Sequence, residues 1–328
     1  MAATKIIFFG TSAFALPSLK ALIRNDWVPL AVVTKPDESA GRKQVLTPPP
    51  VKEWITRITT PATRIPMIKE EIKTLQPEKL NEDFALQISH FKPDLFIVAA
   101  YGKIIPKEIL DIPRLGVLNI HPSLLPRWRG PSPIQCAILN GDTETGVTIM
   151  QMDEEMDHGP IITNNKLPIT NNKIIYTELH DSLAQLGAEL LVETLPQWIE
   201  EKIQPIPQDN TKATYSKILK KDDGRINWSR PAEEIERMVR AFTPWPGTWT
   251  MWPSEKLYRI RIDQAVWEGE EAPIGSPGYI WQKEGMPLLV KTGKGSLAVT
   301  MLTIEGKKPV PAAAFVRGYP DIVGATLV

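Results

Sequence analysis

K-I-I-F-F-G-T-S, residues Lys5–Ser12, sets the first pattern of the chain: an apolar run, Lys5–Phe9, that stops at Gly10. Ser18–Arg24 follows with helical spacing. The same alternation continues outward. β-rich runs recur at Pro29–Thr34, Asp94–Ala99 (D-L-F-I-V-A), Val117–Ile120 and Val147–Gln151, with helical periodicity at Asn81–Phe91 and Pro133–Asn140 between them. Strands alternating with helices predict an α/β fold, Rossmann-like, with a mostly parallel sheet covered by helices on both faces. Its parallel crossovers should be right-handed. Working residues in such a sheet lie at the carboxyl ends of strands, near a switch in strand order. Gly10-Thr11-Ser12 is not G-x-G-x-x-G, so a dinucleotide site is poorly supported. That turn either brings its backbone to a substrate or closes a strand–helix corner.

A long helical pattern, Tyr176–Ile203, ends this part of the chain. Gln204–Thr211 (Q-P-I-P-Q-D-N-T) carries two prolines among polar residues and reads as an interdomain linker. Beyond it the character differs. One helical segment, Ala232–Ala241, precedes β runs punctuated by Trp, Gly and Pro at Thr248–Trp252, Leu257–Val266, Leu288–Lys291 and Leu297–Leu302. A small β-barrel is the expected result. The domains expected are therefore 1–203, a linker at 204–211, and 212–328.

Lys+Arg and Asp+Glu are equal at 38 each, so net charge gives no pointer to a nucleic-acid partner. From Thr211 onward there are 17 Lys+Arg against 13 Asp+Glu, an asymmetry that a solvated surface explains as well as a nucleic-acid face does. The single cysteine, Cys136, can form no internal disulfide, and its apolar surroundings make it a small buried hydrophobe rather than a nucleophile. The four histidines and the cysteine give no pair at metal-ligand spacing, so no metal is expected. A strand that begins at Lys5 leaves no room for a targeting peptide, and no apolar run reaches the roughly 18 residues of a membrane span. The expected setting is cytoplasmic, or an organelle after removal of a targeting segment, with no membrane partner.

The densest chemistry lies in V-L-N-I-H-P-S-L-L-P-R-W-R-G, Val117–Gly130. Asn119 and His121 are two apart on a strand and so project from one face. An amide there can donate to an oxygen that gains negative charge, and an imidazole can donate or move a proton. Taken alone, such a pair is more readily a turn cap and a structural histidine than a catalytic pair. The acidic cluster Q-M-D-E-E-M-D-H-G, Gln151–Gly159, follows the strand at Val147 and offers Asp153 and Asp157 as carboxylates. Either can orient an imidazole or collect the proton an attacking amine must lose. Alone, the cluster is a solvated loop, and His158 is peripheral to it.

Together these segments resemble the signature of the folate-dependent formyltransferase family: Asn119-x-His121-Pro-Ser-Leu-Leu-Pro-x-x-x-Gly130 followed by M-D-x-x-x-D-x-G at Met152–Gly159. Supporting stretches are the P-D…A-G-R…L-T-P-P-P-V-K loop at Pro36–Lys52, P-D-L-F-I-V-A-A-Y-G-K-I-I-P at Pro93–Pro106, and G-D-T-E-T-G-V-T-I-M-Q-M-D at Gly141–Asp153. In the second domain, Tyr215–Trp228 and Val239–Thr248 match too, so the likeness covers nearly the whole chain. The resemblance implies 10-formyltetrahydrofolate as formyl-donor co-substrate and, as acceptor, the α-amino group of methionine esterified to initiator tRNA. It implies Asn119, His121 and Asp157 as the catalytic trio, and Ser123, Leu124, Leu125 and Pro126 as a folate-binding stretch. The backbone around Ala99–Ile104, including Tyr101 and Gly102, would line the pterin pocket. Arg42 and Lys43 would sit in a loop that reaches the acceptor stem, and the C-terminal domain would be an OB-like, tRNA-binding module. A monomer is expected. One departure stands in that loop: the family usually reads A-G-R-G-K-K-L where this chain has Ala40-Gly41-Arg42-Lys43-Gln44-Val45-Leu46. The sequence also admits formyl transfer to an amino sugar or to glycinamide ribonucleotide, a nicotinamide dehydrogenase, and a non-catalytic RNA-binding protein.

Overall fold

The computed structural model describes residues 4–40, 45–59, 72–170, 173–269 and 271–328. It divides into two compact units: Met1–Pro133 with Glu144–Pro168 and His180–Ser216, and Ile134–Thr143 with Ile169–Leu179 and Lys217–Val328. In chain order the α/β part begins with β1 (Ile6–Gly10), α1 (Ala15–Arg24), β2 (Ala31–Val33), and the paired strands β3 (Glu38–Ala40) and β4 (Val45–Thr47). It continues with α2 (Pro50–Thr59), β5 (Lys73–Leu75), α3 (Glu82–Ser89), β6 (Leu95–Ala99), α4 (Lys107–Leu110) and β7 (Val117–His121). Then come α5 (Pro133–Asn140), β8 (Glu144–Gln151), β9 (Ile161–Pro168) and α6 (Tyr176–Ile199).

Seven strands form one sheet in the order β5-β2-β1-β6-β7-β8-β9. β5 through β7 run parallel, and β8 and β9 are antiparallel. From β1 the chain moves out to β2 and β5, then returns to lay β6 on the other side of β1. The switch in strand order therefore lies between β1 and β6, where ligands of open α/β sheets bind. The central strands are apolar because both faces are covered: every residue of I-I-F-F-G in β1 and L-F-I-V-A in β6 is buried. On one face, Phe9 packs its ring 5.1 Å from Phe96 and 5.4 Å from Tyr101. The helices lay apolar stripes on this sheet: α1 buries Leu19, Leu22 and Ile23, and Asn81 caps α3 by accepting from the Phe84 amide at 3.2 Å.

Gly10 closes the β1–α1 corner. A Cβ there would stand 2.5 Å from the Phe8 ring and 2.8 Å from Ala15 Cβ. Of the two roles open to that turn, corner closure is the one that the packing requires.

Several elements escape the sequence reading, each for a physical reason. α2 begins at Pro50, inside the stretch Pro36–Lys52 that reads as a loop; a proline in the first helical turn lacks only an N–H that the helix would leave unpaired anyway. β9, I-I-T-N-N-K-L-P, is polar because it is the last strand in the sheet order and exposes one side. β8 starts at Glu144 rather than Val147, and α6 ends at Ile199 rather than Ile203.

The second unit holds α7 (Ala232–Phe242), then β10 (Thr248–Pro253), β11 (Leu257–Trp267), β12 (Ile280–Lys283), β13 (Met286–Lys291), β14 (Ser296–Ile304), β15 (Val310–Pro311) and α8 (Ala312–Gly318). Its strands are antiparallel in the order β10-β11-β14-β13-β12, with β15 on β14. They enclose a core that includes Trp252, Ile260, Val290, Leu297 and Phe315, in which Trp252 stacks on Tyr258 at 5.2 Å. Three pieces, β12, β15 and α8, went unread in the sequence; β12 (I-W-Q-K) and the two-residue β15 are too short to stand out. Among the described residues no helix is long and apolar enough to cross a membrane.

Candidate active site

Asn119 and His121 lie in β7, with β6 parallel on one side and β8 antiparallel on the other: Asn119 is opposite Val98 and Met150, and His121 is opposite Thr148. The pleat sends both side chains to one face. They are nearly buried, Asn119 at 9% and His121 at 4% relative exposure. Asp157 arrives from the β8–β9 connection. Its Oδ1 lies 3.4 Å from Asn119 Nδ2 and 3.5 Å from His121 Nδ1. Its Oδ2 accepts a 2.7 Å hydrogen bond from the Gly130 amide. The amide, imidazole and carboxylate expected from the sequence thus meet at one place. Asp153 turns away from the trio: its Oδ2 is 2.7 Å from His158 Nδ1.

The segment after β7 is built around Thr148. The fully buried Thr148 hydroxyl donates to the Ser123 carbonyl at 2.7 Å and accepts from the Leu125 amide at 3.1 Å. Ser123 spends its own hydroxyl inside the turn, donating to Arg127 O at 2.6 Å, and Leu125 is buried. Of the predicted folate stretch, Leu124 and Pro126 keep partly exposed side chains. The turn then delivers the Trp128 carbonyl to His121 Nε2 at 3.0 Å. Gly130 follows with φ +104, a backbone conformation that side chains resist, and a Cβ there would lie 2.7 Å from Ser216 O. That conformation aims its N–H at Asp157.

Across the strand switch, Thr11 donates its hydroxyl to Tyr101 O at 2.8 Å, and its amide to Ala100 O at 3.3 Å. The side chains of Ala99 and Tyr101 are buried, and burial pushes the Tyr101 phenol up to about 12. What the 99–104 segment presents outward is Gly102, the exposed Ala100 and the Ile104 side chain, 87% exposed. Arg42 and Lys43 lie outside the described residues.

Six non-glycine residues among those described have positive φ. Asp26, Lys92 and Glu201 come just after helices α1, α3 and α6, where left-handed residues end helices. The other three, Ala100, Trp128 and Asp157, border the site. Each such residue costs on the order of 1–3 kcal/mol and persists only where its surroundings enforce it.

The trio offers two hydrogen-bond donors and a proton acceptor within one partly buried space, the set that acyl transfer to an amine requires. It fits a formyl carrier, because an amide beside an imidazole can hold the carbonyl oxygen of a formyl group. Among the described residues, no group of three or more His, Cys, Asp or Glu could hold a metal ion. Cys136 is partly buried, in the second unit; burial, then Asp142, pushes its thiol up to about 11, so it is a poor nucleophile. Sequence reading missed Trp128 and Gly130 as groups that hold the trio. The signal was present in the closing Arg-Trp-Arg-Gly of the motif, but a backbone carbonyl and a backbone N–H leave no side-chain signature.

Comparison with known proteins agrees with this geometry. Residues 4–195 match the formyl transferase family, and residues 218–320 match the formyl transferase C-terminal domain. A methionyl-tRNA formyltransferase of Pelobacter propionicus is 41% identical over 330 residues, covering 100% of this chain and 97% of the relative. One of Chloroflexus aurantiacus is 42% identical, covering 96% of each. In fold, the chain is similar to HypX from Aquifex aeolicus, solved in complex with tetrahydrofolic acid: TM-score 0.61, 18% identity, covering 98% of this chain and 48% of that one. The chain belongs to the formyl transferase family, and the relatives that it resembles along its whole length are methionyl-tRNA formyltransferases.

Proposed function

We propose that this chain transfers a formyl group from 10-formyltetrahydrofolate to the α-amino group of methionyl-initiator tRNA, acting as a cytoplasmic monomer. The observation that carries the reading is the convergence of Asn119, His121 and Asp157 in a chain similar over its whole length to methionyl-tRNA formyltransferases. In it, residues 1–203 carry the chemistry, and 212–328, beyond the linker 204–211, meet the tRNA.

The folate, when bound, supplies the formyl carbon and the nitrogen from which it departs. Asn119 has two hydrogens on Nδ2; one faces Asp157, and the other meets the formyl oxygen as it gains negative charge. His121 is held through Nε2 by the Trp128 carbonyl and offers Nδ1 toward the same oxygen, donating there when both ring nitrogens carry hydrogen. Asp157 takes the proton that the amine loses as the new C–N bond forms. It passes that proton, directly or through water, to the folate nitrogen as the old C–N bond breaks. No covalent enzyme intermediate is invoked, since no serine, cysteine or lysine in the motif has an activating base. Ser123 and Leu125 shape the 123–126 turn from within, while Leu124, Pro126 and the backbone around Ala99, Tyr101 and Gly102 face the folate. Arg42 and Lys43 reach the acceptor stem.

Incubation with 10-formyltetrahydrofolate and methionyl-initiator tRNA should give N-formylmethionyl-tRNA. No product from folded, folate-binding protein would refute the reading, and formylation of a nucleotide amino sugar instead would redirect it.

A further inference from the structure

Gln208 stands in the proline-rich stretch Gln204–Thr211, yet its side-chain amide is fully committed. Nε2 donates to Asp157 O at 2.9 Å and to Gly159 O at 2.7 Å. Oε1 accepts from Arg129 Nε at 3.0 Å and Nη2 at 2.8 Å. Two donors and two acceptor positions are all that a glutamine side chain has.

Arg129 is the anchor of this arrangement. It is 2% exposed, and among the described residues no carboxylate pairs with it. Its Nη2 also donates to Asn210 Oδ1 at 2.7 Å. Its backbone is held on both sides, the N–H by Thr214 O at 2.8 Å and the carbonyl by the Ser216 amide at 2.7 Å. A buried guanidinium that meets neutral amides is an expensive way to secure a linker. It is an effective way to polarise Gln208, whose Nε2 hydrogens bond more strongly when Oε1 accepts from a cation. A second strand of the network runs from Asn210 to His158 Nε2 at 3.3 Å, and from His158 Nδ1 to Asp153 Oδ2 at 2.7 Å. The 153–159 loop is thus gripped at two points by residues 208–210.

Asp157, whose own carbonyl is one of the groups held, stands at φ +50. We propose that Gln208 is a positioning residue for formyl transfer: backed by Arg129, it fixes the carbonyls on either side of His158. This holds the Asp157 carboxylate against Gly130 and beneath Asn119 and His121. The proposal rests on the reading of Asp157 as proton acceptor.

Gln208→Glu separates positioning from structure. A glutamate still accepts from Arg129 and adds an ion pair with the buried guanidinium, but it has no hydrogen for the two carbonyls. The expected result is a melting temperature close to that of wild type, since the new ion pair offsets the repulsion between the carboxylate and the two carbonyls, with kcat lower by about ten- to a hundredfold and KM for both substrates within about twofold. Exchange of the Gly130 amide, which donates to Asp157, should quicken about tenfold. Gln208→Met, which loses both sets of contacts, should show the same kcat and exchange changes, whatever it costs in stability. Wild-type kcat with unchanged Gly130 exchange in Gln208→Glu overturns the proposal, as does a kcat loss that merely follows a lower melting temperature. If the wild type itself transfers no formyl group, the catalytic reading fails. The Gly130 exchange still decides whether Gln208 places the carboxylate.

Discussion

At Asp157 the two carboxylate oxygens face different demands. Oδ2 is anchored by the short bond from Gly130, whereas Oδ1 has, among the described residues, two long contacts, to Asn119 and His121. The weakly engaged oxygen is the one to which the proposed mechanism gives the proton, and the anchored one keeps it aimed. Asp157→Asn preserves the shape and removes that capacity, so turnover should fall by about 100- to 10,000-fold. Folate affinity should stay within about twofold, because the residue is assigned no role in binding the carrier. Asn119→Ala removes the proposed oxyanion donor, and the expected loss is about 100- to 1,000-fold in kcat. Single-turnover formylation together with equilibrium folate binding checks both; wild-type turnover in folded Asp157→Asn would end the role given to that carboxylate.

At the scale of the elements, the sheet separates its fastening from its chemistry. At the end away from the trio, Asp94 ties three neighbouring strands. Its Oδ2 accepts from the Lys5 amide at 2.8 Å before β1, and its Oδ1 accepts from Arg114 Nε at 2.8 Å before β7. The Lys5 amide, then Arg114, hold its carboxyl below the usual 3.8. A carboxylate whose pKa is lowered on folding stabilises the fold above its unfolded value and loses that contribution as pH falls. Asp94→Asn should therefore cost about 0.5–1 kcal/mol at neutral pH. Its gap from wild type in urea melts should shrink below about pH 4; a gap independent of pH would show that the charge is not what matters. The strands joined here were legible in the sequence because burial on both faces demands unbroken apolar runs such as F-I-V in β6. Asn119 and His121 were legible because a period of two fixes a shared face. β9 was not, since an exposed strand satisfies its backbone with T-N-N-K as well as with apolar residues. Nor was the grip of Gln208 on Asp157, which joins residues about fifty apart through backbone carbonyls that carry no residue identity.

For the whole molecule, the issue is how a chain with equal numbers of acidic and basic residues holds a polyanion. Local surface must supply the attraction, and the start of the second unit offers five cations: Lys217, Lys220, Lys221, Arg225 and Arg230. Lys217 is paired with Asp223, and Arg230 lies 3.4 Å from Glu234, so an anionic partner must compete for both. Arg225 lies over the Trp249 ring at 5.8 Å, an arrangement that leaves its charge available. Lys220 and Lys221 are exposed and have no side-chain ion pair among the described residues. Each phosphate that a lysine neutralises releases condensed counterions, and losing one such contact lowers the slope of log affinity against log salt by about one. The double variant Lys220→Ala, Lys221→Ala should thus reduce that slope for methionyl-tRNA by about two while leaving folate affinity unchanged. Lys217→Ala combined with Arg230→Ala should change it by less, because each loss also frees an acidic side chain. Filter-binding titrations across a range of salt concentrations measure both slopes. Equal slopes in wild type and the Lys220/Lys221 double variant would move the polyanion contact off this segment and onto other basic residues, such as Lys35 and Arg42.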